Sequence, residues 1–70
     1  MATSLYDIFE WVKKNGEVKA IDRVRFRSLS AFVAEGVVFS AVTPQTKVSD
    51  SCLQTVRQAA SSVVGQPCPL

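Results

Sequence analysis

Six basic residues, Lys13, Lys14, Lys19, Arg23, Arg25 and Arg27, fall within fifteen consecutive positions, opposed there only by Glu17 and Asp22. Inside this segment the arginines alternate with Val24 and Phe26. The chemistry such a series supports is non-covalent. Guanidinium and ammonium groups attract phosphate, whether on a nucleic-acid backbone, where they add affinity without sequence information, or on anionic lipid headgroups. Asp22 lies inside the patch, and the net charge is only +2. The positive field is therefore local: residues 1–12 carry Asp7 and Glu10 without a basic side chain, and residues 28–70 balance Glu35 and Asp50 against Lys47 and Arg57.

The parts needed for covalent chemistry are sparse. There is no histidine, the usual general base near neutral pH. The two cysteines, Cys52 and Cys68, are too far apart for a metal-binding pair, and zinc normally takes four Cys or His ligands. Gly16, Gly36 and Gly65 form no phosphate loop and suit turns or caps. The expectation is a non-enzymatic chain with no metal and no cofactor. Cys52 and Cys68 could pair only if the tail after Gly65 folds back, so two reduced thiols are expected, with Cys52 packed as a small hydrophobe.

The chain of 70 residues is 47% hydrophobic and 20% charged, too apolar for intrinsic disorder. At this length about 60% of the surface of the unfolded chain can be buried, so the core is small. A single small domain over residues 1–65 is expected, with 66–70 as a flexible tail or the start of a linker. No signal peptide is evident, and Asp7 and Glu10 argue against a mitochondrial presequence. The longest mostly apolar run, Leu29–Val42, spans 14 residues and includes Glu35, whereas a transmembrane helix needs about 20. The expected location is intracellular, cytoplasmic and peripheral to a membrane.

The elements that position these groups are clearest at the two ends. Ser4 with Asp7 resembles a capping box, and Leu5, Ile8, Phe9 and Val12 recur at helical spacing. Asn15-Gly16 supplies a left-handed stop, so a helix over about 4–14 follows. Tyr6 and Trp11 flank its apolar stripe. Ser49 or Asp50 caps a last helix over about 50–64, with Leu53, Val56, Ala60, Val63 and Val64 on one side and Gly65 at its end.

The middle reads two ways. As a strand, Val18, Ala20, Asp22, Val24 and Phe26 share a face, with only Asp22 and Ile21 spoiling the alternation, and Asn15-Gly16 is a strong hairpin turn. As a helix over about 19–35, Ile21, Val24, Ser28, Ala31 and Phe32 form an apolar to small stripe, while Lys19, Arg23 and Arg27 form a basic one. Arg25 and Phe26 then fall in poor positions. Val37–Thr43 is β-branched and ends before Pro44, which suits a short strand, and Pro44–Lys47 reads as a loop. The preferred fold class is mainly α, a small three-helix arrangement of amphipathic helices. The alternative is α+β, with a central β-hairpin between two helices.

These readings converge on an interaction module. Leu5, Ile8, Phe9, Trp11, Phe26 and Phe32 are the expected apolar and aromatic docking residues. Lys13, Lys14, Lys19, Arg23, Arg25 and Arg27 supply attraction to an anionic surface. The expected partner is an anionic membrane surface or an apolar protein groove. Two alternatives accompany it: a small nucleic-acid-binding domain using Arg23, Arg25 and Arg27, and a homo-oligomer in which a second copy covers surplus apolar surface. In the plainest reading the arginines form a solvated face, and Phe32, Val33, Val37 and Phe39 are core. Finally, Ser28 and Ser30 each follow an arginine by three residues, a spacing accepted by basophilic kinases.

Overall fold

Ser4 opens the first helix as its chemistry requires. In a computed structural model, which describes residues 3–70, its hydroxyl accepts the Asp7 N–H at 3.3 Å and its own N–H donates to Asp7 Oδ2 at 3.2 Å. That reciprocal pair starts α1 (Leu5–Asn15). Met1 and Ala2, which the expected domain over 1–65 includes, lie outside the described residues. Asp7 in the first turn and Lys13 and Lys14 in the last suit the helix dipole.

The structure is mainly helical, with α2 (Ala20–Arg27), α3 (Leu29–Glu35) and α4 (Asp50–Val64) following α1. The described residues contain no strand, so the β-hairpin alternative is not realised. The helix expected over 19–35 exists but is interrupted at Ser28, which divides it into α2 and α3. Two features of the turns also differ from expectation. Gly16 ends α1 in an extended conformation, φ −100°, and not in the left-handed one. Val37–Thr43 forms no strand; it holds a single 3-10 turn over Phe39–Ala41. An isolated extended segment has nowhere to send its N–H and C=O groups, and the other strand-compatible stretch, residues 18–26, is largely taken up by α2.

The long α4 is the element against which α1, α2 and α3 all pack. Its core residues are Cys52, Val56, Ala59 and Ala60, facing Leu5, Ile8, Phe9 and Val12 of α1, Ala20 and Val24 of α2, and Phe32 of α3. Small side chains on α4 let the other helices approach closely. Phe9 and Phe32 of this core join the partly buried Phe39 in an aromatic triad, with ring centroids 4.7 to 6.0 Å apart and edge-on or tilted contacts. Burial of each large side chain contributes about 1.5–3 kcal/mol.

Ser49 caps α4, its hydroxyl accepting the Cys52 N–H at 3.3 Å. Gly65 stops the helix at φ +80°, a conformation that favours glycine. The tail beyond it, expected to fray, turns back so that the Cys68 N–H donates to Ser61 Oγ at 3.0 Å. It does not return as far as Cys52, nine residues earlier on α4 than Ser61 and so about 13 Å away along the axis. Both thiols are free.

Candidate functional site

With Ala20 and Val24 buried against the core, α2 turns its opposite side to solvent. On that side a shallow hollow is lined by Lys19, Asp22, Arg23, Phe26 and Arg27. Phe26 is its one apolar lining residue and is 80% exposed, an unusual position for a phenylalanine when a core lies within one helix diameter. The exposed stripe continues past the break. Ser28 donates its N–H to Val24 O at 3.0 Å and accepts that of Phe32 at 3.1 Å, so helical spacing persists across the junction. Leu29 and Val33, three and seven residues after Phe26, therefore share its face and are 50% and 71% exposed.

Two of the arginines are held in place from the side. Arg27 Nη1 donates to Ser62 Oγ on α4 at 3.1 Å. The Arg25 guanidinium lies over the Phe39 ring, 5.5 Å from its centroid, a cation–π contact that joins it to the aromatic triad. Lys19 and Arg23 have no such tether among the described residues and stand exposed beside Phe26.

The other expected docking residues are placed differently. Leu5, Ile8, Phe9 and Phe32 are core and not a docking surface, because the helical stripe that made them conspicuous is the side of each helix that meets its neighbours. Trp11 is half-buried in a separate hollow with Thr3, Asp7, Glu10, Lys14, Pro69 and Leu70. This hollow shares no lining residue with the one around Phe26. Lys14 thus belongs with Trp11, and Lys13 pairs with Glu10 at 3.2 Å on the exposed side of α1, a contact of little energetic weight. Of the residues expected to act together, α2 assembles Lys19, Arg23, Phe26 and Arg27, with Arg25 adjacent.

Leu29 and Val33 are not among the docking residues named from the sequence, where Leu29 only opens the apolar run and the plainest reading puts Val33 in the core; both lie on this exposed face. The signal was present: in a helical reading Phe26 falls off the apolar stripe, and positions 29 and 33 follow it at helical spacing. Cys52 is buried, and its thiol is pushed above the ordinary range by that burial and, secondarily, by the charge of Glu35. Among the described residues no group of three His, Cys, Asp or Glu side chains could hold a metal ion. No helix among them is long and apolar enough to cross a membrane. Comparison of the chain with protein-family models, curated proteins and solved structures gives no match.

Proposed function

We propose that the protein is a non-enzymatic, peripheral module that docks on an anionic membrane surface through the outer face of α2 and α3. One observation carries this reading: a solvent-exposed Phe26 in a hollow it shares with three cations, Lys19, Arg23 and Arg27, against the single acid Asp22, continued by the exposed aliphatic residues Leu29 and Val33. Cations engage headgroup phosphates while the apolar tips enter the boundary beneath them. Phosphatidylserine-rich cytoplasmic leaflets attract such groups at about 1 kcal/mol per basic residue, so the cytoplasmic side of a membrane is the fitting location. The aliphatic continuation favours lipid over nucleic acid. An aromatic ring stacks on a base, but Leu29 and Val33 have no such role.

The test is co-sedimentation with phosphatidylcholine vesicles, with and without phosphatidylserine. Binding is expected only with phosphatidylserine, to weaken with salt, and to fall about tenfold in Phe26→Ser with an unchanged circular dichroism spectrum. Failure to bind phosphatidylserine vesicles overturns the reading. Binding to RNA that depends on Arg23 and Arg25 but ignores Phe26 would move the function to nucleic acid. A lipid-independent dimer abolished by Phe26→Ser would assign the face to a second copy.

A further inference from the structure

Two serines follow the arginines in overlapping registers. Counted back from Ser28, Arg25 and Arg23 stand three and five residues before it; counted back from Ser30, Arg27 and Arg25 do. A kinase whose substrate groove carries acidic pockets for both arginines can read either register. The fold separates them. Ser28 is 0% exposed at the junction of α2 and α3, whereas Ser30 is exposed on the first turn of α3.

We propose that Ser30 is a phosphorylation site for a basophilic serine kinase, and that its phosphate switches off the α2–α3 docking face. The second half rests on the membrane reading above. In the transfer, Ser30 Oγ attacks the γ-phosphorus of ATP, the bond from that phosphorus to the bridging oxygen breaks, and ADP leaves with the electron pair. The hydroxyl proton passes to the kinase's carboxylate base. The product is a phosphomonoester carrying about −1.5 to −2 charges.

The segment is suited to such capture. α3 has seven residues, no side-chain hydrogen bond caps it, and Phe32 is its buried anchor. To enter a groove, Arg25 must leave Phe39 and Arg27 must leave Ser62, both contacts at the surface. Once formed, the phosphate has a defined effect. Ser30 lies four residues after Phe26 and three before Val33, within the exposed stripe. The new dianion stands three residues from Arg27, competes with Ser62 for its guanidinium, and sets a strongly hydrated group among the apolar tips.

The experiment treats the folded protein with ATP and a purified kinase that selects arginine at both positions, using wild type, Ser28→Ala and Ser30→Ala. One phosphate is expected, located at Ser30 by mass spectrometry, with Ser28→Ala labelled as fast as wild type and Ser30→Ala at least tenfold slower. Phosphate on Ser28, undiminished labelling of Ser30→Ala, or labelling of the urea-unfolded chain alone overturns the site. The phosphorylated protein should then bind phosphatidylserine vesicles at least tenfold more weakly than the unmodified one. If unmodified protein binds and the phosphate changes nothing, the switch fails while the membrane reading stands. If unmodified protein does not bind, the membrane reading and the switch fail together, while the labelling result still decides the site.

Discussion

Glu35, the last residue of α3, accepts the backbone N–H of Ser49 through Oε1 at 2.7 Å, across fourteen residues of chain. This contact closes the connection between α3 and α4. It also positions Ser49, whose hydroxyl caps α4. Glu35→Ala should cost about 1 kcal/mol, read as a lower urea midpoint, and should loosen the first turn of α4, read as faster amide exchange at Cys52. An unchanged midpoint would make the contact incidental.

The Ser28 hydroxyl is buried and has no hydrogen-bond partner among the described residues. Its desolvation is uncompensated, so Ser28→Ala should stabilise the fold by about 1 kcal/mol. Thermal unfolding by circular dichroism would show a rise in midpoint. A fall would mean that the hydroxyl is satisfied in solution.

Phe32 and Phe26 should separate stability from binding. Phe32 is buried within the aromatic triad, and Phe32→Ala should cost about 3–5 kcal/mol. Phe26→Ala should leave the unfolding midpoint within about 0.5 kcal/mol of wild type and weaken vesicle binding alone. Equal destabilisation by both changes would contradict the exposed position of Phe26.

Gly16 is required for space and not for its backbone angle. A Cβ there would meet Ala20 Cβ at 2.6 Å and Val12 O at 2.9 Å. Gly36, at φ +69°, has open space around it, so its substitution strains the backbone instead. Gly16→Ala should therefore couple to Ala20→Gly in a double-mutant cycle by at least about 0.5 kcal/mol, while Gly36→Ala should add independently to Ala20→Gly. Additivity at Gly16 would refute the steric account.

The buried Cys52 thiol should make stability fall in alkali. Because its folded pKa is raised, the contribution is fully present below the ordinary thiol pKa, about 8.5. It is lost as pH rises through that value towards the folded one, where the unfolded chain ionises first. Urea titrations from neutral to alkaline pH should show a decline in wild type that is shallower in Cys52→Ala. In native protein at neutral pH, Cys68 should react with a thiol reagent and Cys52 should resist it.

Much of this fold was legible in local signals. The Ser4–Asp7 box, the apolar spacing of α1 and the Ser49 and Gly65 ends of α4 act within a turn or two of helix, so they hold whatever the rest of the chain does. The basic run and its interleaved Phe26 were also visible, as was the pairing of two serines with two arginines.

What the sequence could not decide lay between Glu17 and Thr43, where periods of 2 and 3.6 compete with similar numbers of violations. There the outcome depends on which surface is available to be covered. α4 offers a face of small side chains that accepts Val24 and the α2–α3 junction, and no second strand exists among the described residues to pair Val37–Thr43. Only that docking determines that Phe32 is inside and Phe26 outside, that Trp11 and Phe26 belong to separate hollows, and that Ser28 is sealed while Ser30 meets water. Each is a difference of side, and a side is defined only once there is a neighbour to face.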